Sequence, residues 1–597
     1  MSLGAAERSA PTPASASPRE PAYGSDLVVD LLQQLGIEYA AFNPGASFRG
    51  LHDSLVNYGG DQQPRTVLCC HEEIAVALAH GYAKASGRPM AAALHDVVGL
   101  QHACMAIFNA WCDRVPVLLL GGTGPMDSVR RRPWIEWIHT ALVQGNHVRD
   151  FVKWDDQPAS PQAAVESLLR AYRLMMAEPT GPVYVCLDVA LQEDPLPRGV
   201  HLPHDVPRWV QQAPLQADLD GLRTAAAWLS SSRRPVLLAD RVGRSRVAAS
   251  ALQALAERLG APVVDLGARF NFPSSHPLEA TDTAETLLRE ADLICALDVT
   301  DLWGALQASA GRHRPAGYAP QAEARIISLG LGDLLAHSWT ADYQRLQPVD
   351  LQLVGETRVA LPALLELLEP GGEAHAERQV RAERLAAQSR VRRAEWEAQA
   401  RGQAHNETIS PAYLALALRE ALGGHDWVLS NSDLRGWTRR LWQIEAPYQV
   451  TGPAGGAGVG YGIGASLGVG LAHAASGRIV VDIQPDGDLL YCSSALWTAA
   501  RERLPLLIVM WNNRSYYNSE EHALRMAEQR GRPAERAGIG TQPIEPAVDF
   551  ATVARGFGLE AAGPITSPAD LPAALAHAVE VVAAGQPFLL DVVADVR

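Results

Sequence analysis

No stretch of 18 or more apolar residues runs free of charge, glycine clusters or breakers, so no membrane-spanning helix is expected. Aromatic residues are few, at 6%. Cysteine is scarcer, with seven in 597 residues: Cys69, Cys70, Cys104, Cys112, Cys186, Cys295 and Cys492. Their number is odd, no CxxC pair occurs, and several sit in apolar runs. A disulfide scaffold is therefore excluded, and free thiols in a reducing, cytoplasmic compartment are expected. Basic charge is also short: 51 Lys and Arg stand against 66 Asp and Glu, a formal net charge of -15. That balance argues against a nucleic-acid surface but allows a local pocket for phosphate. Residues 1–22, rich in Ala, Ser and Pro, have no apolar segment, and read as a disordered tail rather than a signal peptide.

What is present fits a large enzyme acting on small molecules. Short β-branched or leucine runs near 116–120, 183–187, 235–238, 261–265, 478–483 and 506–511 alternate with alanine-rich helical stretches. This is the α/β pattern of parallel sheets with helices on both faces. A Pro-rich linker near 192–215 and a charged, alanine-rich stretch near 370–405 interrupt it. The expected division is three doubly wound domains, 23–195, 213–370 and 405–597, with 371–404 as an exposed linker helix. AHGYAKASGRPMAAAL (79–94) and GLAHAASGRIVVDI (470–483) echo one another: a small-residue helix, a Ser-Gly-Arg turn, then a strand.

The strongest local signal is residues 478–519, RIVVDIQPDGDLLYCSSALWTAARERLPLLIVMWNNRSYYNS. A strand ends in the turn Pro485-Asp486-Gly487-Asp488, and a second strand ends at Asn512-Asn513. Backbone N–H groups at such a turn suit a diphosphate. Its charge calls for Mg²⁺, which takes oxygen ligands. Asp486 and Asn513 fall at the C-terminal ends of two parallel strands, the usual ligand edge of such sheets, with the Ser515 carbonyl as a third ligand.

This pattern resembles the thiamine diphosphate (ThDP) dependent 2-oxo acid decarboxylase and acetolactate synthase superfamily, in which a Gly-Asp-Gly turn precedes Asn-Asn by some 25 residues. The resemblance implies pyrimidine-binding, middle and diphosphate-binding domains in that order. It implies Mg²⁺ on Asp486, Asn513 and Ser515, and diphosphate contacts at Gly487, Asp488, Ser432 and Asp433. Pro485 replaces the first glycine of the motif, so a reshaped turn is expected. The segment CCHEEIAVALAHGYAKASGRP (69–89) resembles the family's His-Glu segment and places the cofactor-activating carboxyl at Glu72, with Glu73 on the solvated face. Tyr461 lies 25 residues before Asp486, where the family places a bulky wedge that bends the coenzyme, and the Val459 carbonyl is the expected partner of its amino group.

Within the superfamily, 94–121 and SALWTAA (494–500) are most similar to benzoylformate decarboxylases, which places an active-site histidine at His95. Asn518 and His522 stand where an aromatic substrate would want apolar walls, so a more polar 2-oxo acid is expected. The middle region lacks the glycine-rich segment of a flavin site, so FAD is not expected. The resemblance further implies a homodimer or homotetramer with active sites at subunit interfaces. Decarboxylation with carboligase ability leads, and an acetolactate-synthase-like transferase, a 2-hydroxyacyl-CoA lyase or a catalytically silent paralogue remain open.

Overall fold

The computed structural model describes residues 20–131, 138–309, 315–332, 334, 343–369, 375–432 and 434–595. Three parallel sheets organise it. The first contains β1 (Tyr39–Phe42), β2 (Arg65–Leu68), β3 (Met90–Leu94), β4 (Val117–Thr123), β5 (Asp155–Asp156) and β6 (Val183–Asp188), in the order β2-β1-β3-β4-β6-β5. In the second, β7 (Pro235–Ala239), β8 (Val263–Asp265) and β9 (Leu293–Leu297) are joined by β12 (Arg325–Gly330) and β13 (Leu351–Val354), in the order β13-β12-β9-β7-β8. A separate antiparallel pair, β10 (Gln307–Ser309) and β11 (Pro315–Tyr318), lies between β9 and β12 in the chain. The third runs β14-β15-β16-β18-β17, from β14 (Trp427–Asn431), β15 (Ile479–Pro485), β16 (Leu506–Asn512), β17 (Glu560–Ile565) and β18 (Phe588–Val593).

Runs of Val, Ile, Leu and Ala fill the central strands β3, β4, β7, β9 and β16, which are buried along their whole length because helices cover both faces. The fold class is therefore α/β, three doubly wound parallel sheets. The charged stretch that separates the second and third sheets forms a 28-residue helix, His375–Gly402. All seven cysteines are free, five of them buried. Among the described residues no helix is long and apolar enough to cross a membrane.

The two echoing segments form equivalent helices, Glu72–Ser86 and Tyr461–His473, each leading into a strand of its own sheet. They also pack on each other, and the first and third sheets share one continuous core through them, with Leu78 and Tyr82 beside Ile463 and Leu467. The approach is backbone to backbone. A Cβ at Gly81 would stand 2.0 Å from the Ala465 carbonyl oxygen, one at Gly468 2.0 Å from the Leu78 carbonyl oxygen, and one at Gly464 2.7 Å from the Ala77 Cβ. Glycine is needed at these positions for clearance, not for its φ.

Gly468→Ala is therefore expected to force the helices apart and cost ~3 kcal/mol in denaturant unfolding, the upper range for overpacking a tight core. Gly402→Ala, at the open end of the linker helix with nothing within 4 Å of the added methyl, serves as the control and should change stability by less than ~1 kcal/mol. Equal effects at the two sites would refute the close-contact explanation.

Candidate functional site

Two groups of polar side chains stand at strand ends. The first lies at the tips of β15 and β16. Pro485 closes β15, in register with Trp511 on the last rung, at φ -64° and ψ 143°. Asp486 then opens a short helix, Asp486–Tyr491. The proline thus caps the helix, which is how the chain accommodates it in place of the expected glycine. Asp486 is 2% exposed, and its Oδ1 has no hydrogen-bond partner among the described residues. Burial raises its carboxyl to about 6, against the pull of backbone N–H groups from Gly487, Arg514 and Ser515. Asn513 follows β16, and its side-chain oxygen accepts from the Ser515 N–H at 2.9 Å. The Ser515 hydroxyl donates to Glu520. Gly487 leaves room for the Tyr516 ring, which a Cβ would meet at 2.4 Å. An orphaned carboxylate oxygen beside an amide oxygen is the donor chemistry a hard divalent cation takes.

Asp488, on the same turn, points back toward the glycine-rich segment. Its carboxylate accepts from the Gly460 N–H at 2.6 Å, the Gly462 N–H at 3.2 Å and the Gln484 amide at 2.6 Å. Ser432 follows β14 at φ +51° and, with Asn431, lines a cavity of about 710 Å³ that reaches the tips of β7 and β8 at Asp240 and Asp265. Asp433 lies outside the described residues.

The structure corrects the expected role of Tyr461. This side chain is 4% exposed and turned into the first unit of its own chain. Its hydroxyl lies 3.2 Å from Lys84 Nζ, and its ring centroid is 5.0 Å from that of His80. A ring enclosed in this way has no surface left to support a coenzyme. The reason lies at Gly460, whose φ of +95° ends the loop and starts the helix, so that Tyr461 becomes its first, inward-facing residue. Val459, one residue before Gly460, is 41% exposed and is the apolar side chain the loop presents.

The second group gathers at the C-terminal end of β3. Glu72 opens the helix Glu72–Ser86 and is 4% exposed. Asn43 Nδ2 donates to its Oε1 at 3.1 Å, and His102 Nδ1 lies 3.4 Å from its Oε2. His95 follows β3 and stands at the N-terminus of the helix Asp96–Cys112. Its Nδ1 is 3.0 Å from Ser47 Oγ and its Nε2 is 3.4 Å from His139 Nδ1. Gly45 lets the Asn43-Pro44-Gly45 loop press on the histidine, since a Cβ there would stand 2.5 Å from His95 Cβ. Burial, and then the neighbouring His139, lower the His95 pKa, while Glu72 opposes them. The structure thus brings Glu72 and His95 into one neighbourhood. It adds His102 and His139, which sequence reasoning did not assign, and a hydroxyl contact to His95 from Ser47. His139 is 44 residues from His95 and carries no local motif, so only the fold could reveal it.

Glu73 also departs from expectation. It is 4% exposed rather than solvated, and its Oε1 has no hydrogen-bond partner among the described residues. Burial, with a further contribution from Asp488, raises its carboxyl from 4.5 to about 7. Glu72 thus takes its contacts from the first unit, while Glu73 faces the third.

A carboxyl whose folded-state pKa is raised keeps its proton longer than the unfolded chain does. Its contribution is full below about pH 4.5 and declines as pH rises toward 7. Glu73→Gln should flatten this part of the stability–pH profile, measured by urea unfolding between pH 4.5 and 8 without added metal. A variant whose profile keeps the wild-type slope would show that Glu73 is not the group responsible.

Comparison with known proteins agrees with this layout. Residues 23–146 match the model of the thiamine pyrophosphate enzyme N-terminal TPP binding domain, 222–364 the central domain, and 432–592 the C-terminal TPP binding domain. A benzoylformate decarboxylase of Pseudomonas aeruginosa is 29% identical over 532 residues, covering 88% of this chain and 91% of its own. A rice protein described as a probable chloroplastic acetolactate synthase is 25% identical over 598 residues, covering 96% of this chain and 82% of its own. The solved structure of a thiamine diphosphate-dependent 4-hydroxybenzoylformate decarboxylase from Rhodococcus jostii shares the fold, with a TM-score of 0.73 at 20% identity, over 96% of this chain and 99% of that one. With all three of its units matched in the family's order, the chain belongs to the thiamine pyrophosphate enzyme family.

Proposed function

We propose that the protein is a ThDP- and Mg²⁺-dependent 2-oxo acid decarboxylase with carboligase ability, acting on a substrate more polar than phenylglyoxylate. The observation that carries the reading is the buried, orphaned Asp486 oxygen at the tip of β15, beside Asn513 at the tip of β16. Asp486 and Asn513 would hold the cation by side chain and Ser515 by its carbonyl. Ser432, Gly487 and Asp488 would seat the diphosphate. Val459 takes the supporting role first expected of Tyr461, with the loop backbone around it serving the aminopyrimidine.

When bound, ThDP supplies a carbon nucleophile and then an electron sink for the carbon that loses CO₂. Glu72 would hold a proton at the ring nitrogen of the coenzyme's pyrimidine. His95, kept neutral by burial, would hold or move a proton at the reacting carbonyl, with Ser47 fixing its Nδ1 and His139 standing at its Nε2. The arrangement works as a homodimer or homotetramer in which Glu72 of one chain serves the strand tips of another. This fits the finding that Glu72 takes its contacts from its own unit. Substrate polarity is supported by the helix Tyr517–Gln529, which has no buried residue and exposes Asn518 and His522. An acetolactate-synthase-like outcome would use the same groups, with a second carbonyl compound in place of the final proton.

A panel of 2-oxo acids, polar and aromatic, assayed for CO₂ release is the direct test. Glu72→Gln should lower kcat by ~10²–10⁴, the range for losing a proton-transfer group, while Asp486→Asn should abolish Mg²⁺-dependent ThDP binding in calorimetry. Purified, folded protein that ignores ThDP with Mg²⁺ present would end the proposal.

Val459 and Tyr461 separate the two views of the wedge. Val459→Ala should lower kcat at least tenfold while ThDP affinity changes little, whereas Tyr461→Phe should keep kcat near wild type. The opposite ranking would return the role to the tyrosine.

A further inference from the structure

The coenzyme site leaves unexplained a second polar cavity, about 370 Å³ in volume, where the three units meet. Six cations stand on its wall: Lys84 and Arg114 from the first unit, and Arg241, Arg244, Arg269 and Arg358 from the second. Only two carboxylates, Glu178 and Glu356, share that wall, with Asp113, Asp240 and Asp298 behind it. Pro447 and Val450 of the third unit close it on an apolar side.

The existing pairs do not use all the donors. Arg244 Nη1 meets Glu178 at 2.9 Å, and Arg269 Nη1 donates to the Thr451 carbonyl at 3.2 Å. Arg241 Nε donates to Thr300 at 2.9 Å. Yet Arg244 Nε, Arg269 Nε and Arg241 Nη1 are all buried without a hydrogen bond among the described residues, and Arg241 as a whole is 5% exposed. Asp113 Oδ1, the nearest acid to that Arg241 nitrogen, is 3.7 Å away. Orphaned buried N–H groups on charged side chains are costly, and a guanidinium fork is shaped for an oxyanion. Burial, helped by the neighbouring Arg241 and Arg244, lowers both Arg114 and Arg269 to about 10, whereas Lys84 is already met by Asp113 at 3.0 Å and Glu178 outweighs burial to raise Arg244.

We infer that this cavity is a binding site for a phosphate group, free or carried on a small organic body, which links the three units when bound. A tetrahedral dianion can accept from guanidinium groups on several sides at once, as the wall requires. The volume equals that of about a dozen waters at ~30 Å³ each, room for a phosphate with a small organic remainder but not for a dinucleotide. The site is separate from the strand tips of β15 and β16 and needs no part of the proposed reaction.

The test is calorimetry and thermal unfolding of the full-length protein with ThDP and Mg²⁺ in excess, so that the diphosphate seat is filled. Inorganic phosphate and glycerol phosphate are titrated against sodium chloride of equal ionic strength. Saturable binding with a rise in Tm is expected. A tighter fit for the ester identifies a phosphorylated metabolite, and equal or weaker binding of the ester identifies free phosphate; either supports the site. Arg269→Gln, and Arg244→Gln combined with Glu178→Gln to keep the charge balance, should each weaken binding at least tenfold. Arg358→Gln, at a half-exposed position on the rim, should weaken it several-fold. No binding beyond the chloride control, or equal binding by all the variants, would overturn the inference. If ThDP itself fails to bind, the proposed reaction falls, while the arginine variants still tell phosphate in this cavity from phosphate in an empty diphosphate seat.

Discussion

The contact between the helices Glu72–Ser86 and Tyr461–His473 fixes most of what matters in this protein. Backbone meets backbone at Gly81 and Gly468, so the two helices have little freedom to slide or rotate. Each helix begins at a functional point. One starts with Glu72 and Glu73, the other with Tyr461, two residues after the exposed Val459. Locking the helices therefore sets where each carboxyl points and which residue of the glycine-rich loop stays open. Interiors pack without slack, so an error of one methyl at the crossing would be felt at both helix starts.

That constraint also explains the two places where sequence reasoning misplaced a side chain. A helix packed on a sheet usually has a wet side, which is the ground for expecting Glu73 to face water. Here every residue from Glu72 to Ala83 is buried, because the helix lies between two sheets. The count of 25 residues back from Asp486 to Tyr461 crosses the turn at 474–478, where Gly477 has φ +73° and chain length is not fixed by any ladder. The helix start at Gly460 is the firmer landmark, because glycine adopts its φ of +95° without steric cost.

Other features were legible because local chemistry and fold agree. Alternating apolar runs and alanine-rich helices led to three parallel sheets, and the Asp486 and Asn513 spacing led to two neighbouring strand tips. The Ser-Gly-Arg echo marked the two helices that now pack together. His139 and the arginine-lined junction were not legible. Each depends on residues distant in the chain meeting in space, and a lone histidine or scattered arginines carry no period or motif.

Lys84 joins these observations. It lies near the C-terminus of the helix that begins with Glu72, with its side chain fully buried. Its Nζ reaches Asp113 at 3.0 Å and the carbonyl oxygens of Gly452 and Pro453 at 3.0 and 2.8 Å. Burial alone would raise Asp113, but Lys84, His80 and Arg241 outweigh it and hold the carboxyl well below its ordinary range. The same Asp113 thus ties the helix to Arg241 on the junction wall, and Lys84 ties it to the loop that leads to Val459. A buried network of this kind contributes little net stability, because desolvation offsets most of the attraction. It does fix geometry, since removing any one partner leaves a buried charge unpaired. One rigid helix therefore carries the carboxyl at one end and, at the other, the ionic knot through which all three units are held in register.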